Sequence, residues 1–174
     1  LRAWGGEGTG PGQFIYPCGL AVDREGFLYV SEFGGNDRIH KFAPDGREVA
    51  ILGSRGDGPG QLNRPQDLAV DADGTLYVAD ACNHRIQVLG PDGSFRAAWA
   101  GSGDRALRYP YDIQLEPGGT VLVCEFGANR LQRFARDGTS LGAWGGPGLA
   151  PGRFDEPRDT GLGAHRLIYV TDAL

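Results

Sequence analysis

Short apolar runs recur along the chain, separated by glycine, proline and Asp-Gly turns. A proline opens each of four similar phrases, which start 48, 45 and 47 residues apart at Pro17, Pro65, Pro110 and Pro157. A second apolar run follows and ends in an acid, at residues 27–32, 76–80, 121–125 and 167–172. A third run begins at an arginine and leads through an Asp-Gly turn to a short fourth run. Self-similarity at a period of about 47 residues indicates a repeat protein.

Each repeat unit is predicted to hold four short antiparallel strands joined by hairpins. Asp-Gly between apolar runs is a strong hairpin signal, because glycine accepts the positive φ that tight turns require. No segment keeps a 3.6-residue apolar period, so helix is expected to be almost absent. Such units are typical of β-propeller blades rather than of solenoids. We therefore predict an all-β chain, one propeller segment over residues 1–174, with blades at 17–52, 65–99 and 110–144 and a partial blade at 157–174.

Two motifs make the kind of propeller specific. The phrase Asp80-Ala-Cys-Asn-His-Arg-Ile-Gln-Val88 resembles the signature of the NHL-repeat family. The segments Gly10-Pro-Gly-Gln-Phe14 and Gly58-Pro-Gly-Gln-Leu62 resemble its inter-blade loop, as does Gly152-Arg-Phe154. The resemblance covers essentially the whole chain and implies about three and a half four-stranded NHL-type blades. It says little about function, because propellers host many unrelated activities.

The predicted strand order describes an incomplete ring. The chain is expected to begin in the last strand of a blade, at residues 2–4, and to stop two strands into the final unit. NHL-like propellers usually close with about six blades, which would take roughly 280 residues at this period. We therefore expect a piece of a longer six-bladed propeller, with the remaining blades supplied by the rest of that longer chain.

Composition narrows the function classes. The net charge is −5 and Lys41 is the only lysine, which disfavours nucleic acid as a partner because nucleic-acid binding relies on a basic face. No apolar run approaches the roughly 20 residues of a membrane-spanning helix. Three cysteines without a Cys-x-x-Cys pair leave the compartment open and give no zinc site. An arginine-rich, lysine-poor chain is associated with bacterial proteins.

Acids and arginines recur at equivalent positions where the second strand ends and the third begins. The pairs are Glu32 with Arg38, Asp80 with Arg85 and Glu125 with Arg130, and Asp172 is a fourth acid of the same series. One hairpin would bring each acid to its arginine, so a bidentate pair that braces the loop is the favoured interpretation. A ring of acids that holds a ligand is the alternative.

A second acidic series, Asp67, Asp112 and Asp159, follows the blade-opening prolines by two residues, and Gly19 takes the place of the acid in the first unit. Converging carboxylates would suit Ca²⁺, a hard cation that prefers oxygen ligands. The alternative is capping of neighbouring backbone amides. His40, His84 and His165 do not supply the channel histidines of related amidating lyases. Gluconolactonase-like propellers use channel carboxylates with a divalent metal, which keeps a metal-dependent reading open.

Loops that enter each blade and loops that join its second and third strands emerge on one side of a propeller. Eight side chains there, most of which differ from blade to blade, are candidates for binding: Tyr16, Phe33, Arg64, Arg108, Tyr109, Phe126, Glu156 and Arg158. Aromatic and arginine side chains are enriched at protein interfaces. We therefore predict a scaffold without catalytic residues that binds a protein or peptide, with no cofactor expected unless Ca²⁺ binds. A metal-dependent hydrolase or lyase in the central channel is the alternative.

Overall fold

The protein is described by a computed structural model that covers residues 5–173, and its architecture is all-β. Three four-stranded antiparallel sheets follow one another, and a two-stranded sheet ends the series. The strand predicted at residues 2–4 lies outside the described residues. Regular helix is limited, in residues 5–173, to single 3-10 turns, and none of these has the length or apolar character needed to cross a bilayer.

The strands of each blade are consecutive in the chain. Blade 1 holds β1 (Tyr16–Val22), β2 (Leu28–Phe33), β3 (Arg38–Phe42) and β4 (Glu48–Leu52). A short parallel pair, β5 (Ser54–Arg55) and β6 (Gln61–Leu62), lies in the loop that enters blade 2. Blade 2 holds β7 (Pro65–Val70), β8 (Leu76–Asp80), β9 (Arg85–Leu89) and β10 (Phe95–Trp99). Blade 3 holds β11 (Pro110–Leu115), β12 (Thr120–Glu125), β13 (Arg130–Ala135) and β14 (Ser140–Gly145), and partial blade 4 holds β15 (Asp159–Leu162) and β16 (Ile168–Thr171).

The Asp-Gly turns form the hairpins between the third and fourth strands. Gly46, Gly93 and Gly138 have φ values of 85°, 83° and 87°, a region that only glycine enters without steric cost. The preceding aspartate accepts a hydrogen bond from the amide two residues ahead, as in Asp137 Oδ1 with Thr139 N at 2.9 Å. These local hydrogen bonds explain why the dipeptide was a reliable hairpin signal.

The core lies between blades. Side chains of β2, β3 and β4 pack against those of β7, β8 and β9 in one cluster that includes Tyr29, Ile39, Leu52, Leu68, Leu76 and Val78. A second cluster joins blade 2 to blade 3, and a smaller one joins blade 3 to β16. All five residues of β8 are buried, because this strand has a sheet on both sides. Burial on both faces accounts for apolar runs that do not alternate with polar residues.

The two ends of the series leave sheet faces uncovered, so the described sheets form an incomplete ring. Leu20 on β1 is 62% exposed and Tyr169 on β16 is 63% exposed. The innermost strands β1, β7, β11 and β15 lie side by side around the channel axis, and each contacts the next. The arrangement of four-stranded antiparallel blades in an incomplete ring confirms the predicted fold class.

The contact between the innermost strands of blades 1 and 2 is tight at Gly19, and a substitution there tests it. A Cβ atom at Gly19 would lie 2.6 Å from the Cα of Asp67 and 2.7 Å from the Oγ of Ser31. We expect Gly19→Ala to lower the free energy of unfolding by about 1–3 kcal/mol, because the blades must separate to admit the methyl group. Gly161→Ala on β15 is the matched control, since its Cβ meets nothing within 4 Å. Equal stability of the two variants in urea unfolding would contradict the close approach of the blades.

Candidate functional site

A buried ion pair occupies the loop-side end of each complete blade. Glu32, Asp80 and Glu125 have no exposed side-chain surface, and the distances from their carboxylates to the Nε of Arg38, Arg85 and Arg130 are 2.5, 2.8 and 2.7 Å. In blade 3 a second contact at 3.3 Å, from the Nη2 of Arg130, makes the pair bidentate. Acid and arginine face each other directly across the hairpin between the second and third strands.

The same carboxylates hold the loop that enters their blade. Amides in that loop donate to them at 2.7–2.8 Å: Ile15 N to Glu32, Asn63 N to Asp80, Arg108 N to Glu125 and, in the partial blade, Asp155 N to Asp172. The arginines extend the bracing, because Arg85 Nη2 donates to the carbonyls of Gly58 and Gln61 at 2.9 and 2.8 Å. The geometry is that of a loop brace, in which the acids are fully engaged by protein groups.

Each acid has one further partner from the third strand. Gln87 Nε2 donates to Asp80 at 3.0 Å and Gln132 Nε2 donates to Glu125 at 2.6 Å. Blade 1 has His40 instead, which lies 3.1 Å from Glu32 through Nε2 and contacts Glu48 through Nδ1. Burial alone raises the pKa of Glu32, but hydrogen bonds from the Ile15 amide, His40 and Arg38 outweigh it and hold the pKa below its ordinary value.

Neighbouring blades are joined on the loop face by hydrogen bonds that the sequence analysis did not anticipate. In each pair the acceptor is the side chain of the residue just before a blade's third strand. The donor is the backbone amide of the residue just before the opening proline of the next blade. The three pairs are Asp37 with Arg64 at 2.9 Å, His84 with Tyr109 at 3.1 Å and Asn129 with Glu156 at 2.8 Å. We call each pair a blade latch. A usable signal existed, because the position before each signature arginine holds Asp, His or Asn.

Both residues of every blade latch have left-handed backbone. The φ values are 44°, 54° and 51° at Asp37, His84 and Asn129, and 56°, 47° and 55° at Arg64, Tyr109 and Glu156. Non-glycine residues in this region cost of order 1–3 kcal/mol each and persist only where the surroundings hold them. The latch hydrogen bonds help to offset that cost, and they fix the direction in which the loop-face side chains leave the backbone.

Two stacks of aromatic and arginine side chains stand on the loop face, and each crosses a blade boundary. Phe33 stacks on Tyr16 at a centroid distance of 5.3 Å, and the guanidinium of Arg64 from blade 2 lies 4.9 Å from the centroid of the Phe33 ring. Phe126 stacks on Tyr111 at a centroid distance of 4.6 Å, and the guanidinium of Arg158 from blade 4 lies 5.6 Å from the centroid of the Phe126 ring. Tyr111 was missed by the sequence analysis, although it is the aromatic member of the variable position after the opening proline.

The other predicted loop-face residues lie near these stacks without forming one continuous group. The rings of Tyr109 and His84 form a T-shaped pair with a centroid distance of 4.4 Å. Glu156 and Arg158 are both exposed and lie 3.6 Å apart. The side chain of Arg108 is also exposed. The eight residues are therefore divided between a Tyr16–Phe33–Arg64 group at blades 1 and 2 and a group at blades 3 and 4.

The structure does not arrange Asp67, Asp112 and Asp159 as a metal-ligating group. Within residues 5–173 no three His, Cys, Asp or Glu side chains are placed to hold a metal ion. Asp67 instead accepts a hydrogen bond from the amide of Ile113 in the next blade at 3.1 Å, and Asp112 accepts one from the amide of Thr160 at 3.1 Å. The Thr160 hydroxyl also donates to Asp112. These contacts are the amide capping that was the alternative interpretation.

Burial on the channel wall raises the pKa values of Asp67 and Asp112. Burial, and then the negative charge of Asp112, raises the pKa of Asp67 to about 8. Burial raises the pKa of Asp112 to about 6, although hydrogen bonds from Thr160 and Asp67 act in the opposite direction. A channel space of about 410 Å³ is lined by the innermost strands. A smaller groove of about 370 Å³ opens at its loop-side mouth between Cys18, Gln66, Tyr111 and Arg158.

Comparison with known proteins agrees with this geometry. Residues 62–89 match the family model of the NHL repeat. The fold is a β-propeller, and residues 62–89 are an NHL repeat within it. The chain is similar to a streptogramin B lyase structure (17% identity, TM-score 0.68, 90% of this chain and 48% of that chain). It is also similar to virginiamycin B lyase from Staphylococcus aureus (19%, 0.68, 90% and 49%) and to a chain of a nidogen–laminin complex (22%, 0.61, 75% and 47%).

The chain spans about half the length of each of these solved structures. At such identities the likeness establishes the fold alone, and the lyase and nidogen–laminin matches carry different functions on it. The prediction of an NHL-type propeller is confirmed. What the segment binds or catalyses has to be argued from its own side chains.

The buried ion pair of blade 3 gives a direct test of the loop brace. We expect Glu125→Gln to destabilise the protein by about 3 kcal/mol, because Arg130 loses its charged partner while remaining largely buried. Glu25→Gln, in the exposed hairpin after β1, makes the same chemical change on the surface and should alter stability very little. Both are measured by urea unfolding. A loss for Glu125→Gln no larger than that of the control would show that the ion pair does not brace the loop.

The raised pKa values of Asp67 and Asp112 predict that their contribution to stability decreases as the pH rises. An acid in an ordinary ion pair has the opposite effect. The native state holds protons on Asp67 and Asp112 that the unfolded chain releases near pH 4. Their stabilising contribution is complete below that pH and is lost as the pH rises through about 6 and about 8. Asp67→Asn keeps an acceptor and a donor without charge, so its unfolding free energy should vary less with pH and exceed the wild-type value above about pH 8.

Asp57→Asn, in an exposed loop, is the matched control for this titration. Urea unfolding of the wild type, Asp67→Asn and Asp57→Asn is compared at acidic and alkaline pH. If the wild type and Asp67→Asn change in parallel, Asp67 does not hold a proton in the native state.

Proposed function

We propose that this propeller segment is a scaffold without catalytic residues whose loop face binds a protein or peptide partner. The observation that carries the proposal is the pair of aromatic–arginine stacks. Tyr16 is 58% exposed on the first, and Arg158 is exposed on the second. Tyrosine, tryptophan and arginine dominate the residues that contribute most to binding at protein interfaces.

The backbone beneath the stacks supports the proposal because it is fixed before any partner arrives. The blade latches hold the residues at Arg64, Tyr109 and Glu156 in one conformation, and the buried carboxylates hold the loops that precede them. A surface that is ordered in advance loses little conformational entropy on binding, so more of its contact energy appears as affinity. Binding residues on loops held by a rigid scaffold are a general arrangement.

The alternative is a metal-dependent hydrolase or lyase with its site in the central channel. Lyases are among the structures that this chain is similar to, and Asp67, Asp112 and Asp159 do face the channel. Against this alternative, the two most buried of these acids are engaged with amides of the next blade. Cys18 is the thiol that shares the groove with these acids, but it donates a hydrogen bond to the carbonyl of Pro65 at 2.9 Å and burial raises its pKa, so it is not prepared as a nucleophile. The loop face is therefore our preferred site.

Selection from a random peptide display library tests the proposal. Peptides that bind the 174-residue chain are remeasured on the double variant Phe33→Ser with Phe126→Ser, which removes the central ring of both stacks. We expect affinity to fall by about ten-fold or more, as for the loss of central interface residues. Leu141→Ser, at a 53% exposed position of β14 away from the loop face, should bind as the wild type does.

Thermal melts establish that the variants are folded, and Tyr16→Ser replaces the double variant if the phenylalanines prove necessary for stability. The proposal fails if no peptide is selected, or if the selected peptides bind all variants equally. Binding that requires Ca²⁺ and is abolished by Asp112→Asn would support the channel alternative instead.

A further inference from the structure

The loops that enter blades 1 and 2 are held by equivalent contacts. Both contain the pattern Gly-Pro-Gly-Gln, and its second glycine, Gly12 or Gly60, donates its amide hydrogen to a side chain at 3.0 Å. In blade 2 the acceptor is the Oε1 atom of Gln87, and the Nε2 atom of the same side chain donates to Asp80. One uncharged side chain therefore holds the loop and the buried acid together.

Blade 1 departs from this arrangement at two positions that contact each other. His40 stands in the place of Gln87 on the third strand, and Glu48 stands in the place of Phe95 at the start of the fourth. The Gly12 amide donates to the Oε2 atom of Glu48 rather than to the third strand. The loop that enters blade 1 is therefore held by an ionisable side chain, whereas the loop of blade 2 is held by an amide.

The imidazole of His40 is fully buried between two carboxylates. Its Nε2 atom lies 3.1 Å from Glu32, and its Nδ1 atom contacts the Oε1 atom of Glu48. The rings of Phe14 and Phe42 lie against it at centroid distances of 4.7 and 5.9 Å. An ionised carboxylate only accepts hydrogen bonds, and a neutral imidazole has a single N–H. Both contacts are therefore hydrogen bonds only when the ring carries a proton on each nitrogen.

The charge of this buried group leads to the same protonation state. Glu32, Glu48 and, through Glu32, Arg38 are the charged side chains that the described part of the chain places around the ring. Two carboxylates and one guanidinium leave a net negative charge, which a protonated His40 neutralises. A buried charge without a partner is strongly unfavourable. In blades 2 and 3 the acid and the arginine already balance each other, and the third-strand glutamine is uncharged.

We propose that Glu32, His40 and Glu48 form a pH-sensitive brace, which holds the loop entering blade 1 while His40 carries two ring protons and releases it when one is lost. Imidazole is the side chain that ordinarily changes charge between about pH 5 and 8. Loss of the Nδ1 proton sets a nitrogen lone pair against Glu48, the more exposed of the two acids, so this carboxylate turns towards solvent and gives up the Gly12 amide.

Release of this loop reaches the loop face. Tyr16 follows the loop directly and belongs to the Tyr16–Phe33–Arg64 group, so its position depends on the brace. The inference goes beyond the proposed function and does not require it, because release is a property of the chain without a partner.

Amide hydrogen exchange of the ¹⁵N-labelled chain, followed by NMR from about pH 5 to about pH 9, tests the brace. Gly60 is the internal reference, because the Gln87 side chain that holds it does not titrate. The ratio of the Gly12 rate to the Gly60 rate cancels the general acceleration of exchange by base. We expect this ratio to rise by about ten-fold or more over the pH range in which the imidazole ¹⁵N signals of His40 show the loss of a ring proton.

Two variants remove the pH dependence in different ways. Glu48→Gln keeps an acceptor for Gly12 and supplies a donor for a neutral imidazole, so the ratio should stay constant with pH. The double variant His40→Gln with Glu48→Ser introduces the glutamine–serine pair of blade 3 and should behave in the same way. Glu25→Gln, in the exposed hairpin after β1, is the matched control and should respond to pH as the wild type does. The protection of Gly60 reports that each variant is folded.

A constant ratio in the wild type across this pH range would overturn the proposal. So would an imidazole of His40 that has a single N–H at the acidic end. A ratio that rises in Glu48→Gln as it does in the wild type would show that the loop responds to pH without this carboxylate, and the brace would be wrong. None of these outcomes concerns peptide binding, so the inference can fail while the proposed function stands.

Discussion

The carboxylate at the end of each blade's second strand is the contact on which the rest of the structure depends. It is buried, and a lone buried charge would be costly, so it requires partners from every direction. The arginine and the glutamine or histidine of the third strand supply two of them, and an amide of the entering loop supplies another. One acid in each complete blade therefore fixes the hairpin, the loop and the position of the blade-opening proline together.

The fold could be predicted because its signals are local and repeated. The Asp-Gly turns and the acid–arginine hairpins join residues that are close in sequence, and each recurs at equivalent positions. The contacts between blades were not predictable in the same way. The blade latches and the amide caps of Asp67 and Asp112 join residues 25–48 positions apart, and they appear only when two sheets are docked in one register.

The candidate site was foreseen in part for the same reason. Topology places the ends of the second strands and the blade-opening loops on one side, so Tyr16, Phe33, Arg64 and Phe126 were placed on the correct face. Which of these side chains stack on one another depends on the directions in which they leave the backbone. Those directions are set by left-handed conformations at non-glycine residues, and residue type predicts such conformations only weakly. Tyr111 escaped attention because its partner ring, Phe126, reaches it across the sheet from the end of the neighbouring strand.

Rigid backbone and variable side chains thus occupy the same surface of the molecule. The repeated residues point inward and brace the loops, whereas the variable residues point outward from positions that the bracing has fixed. This division allows the outward residues to differ between blades without disturbing the scaffold, which is the usual basis of functional diversity in repeat proteins.

The polarity of the blade latch has a consequence for how such a molecule can grow in evolution. Blades 2 and 3 each offer an acceptor to the blade that follows and an amide donor to the blade before. A duplicated blade inserted between two others would therefore arrive with both halves of the connection, and it would leave neither neighbour with an unmatched polar group. Lengthening the array needs no compensating substitution at the junctions, so changes in blade number are open to simple gene duplication.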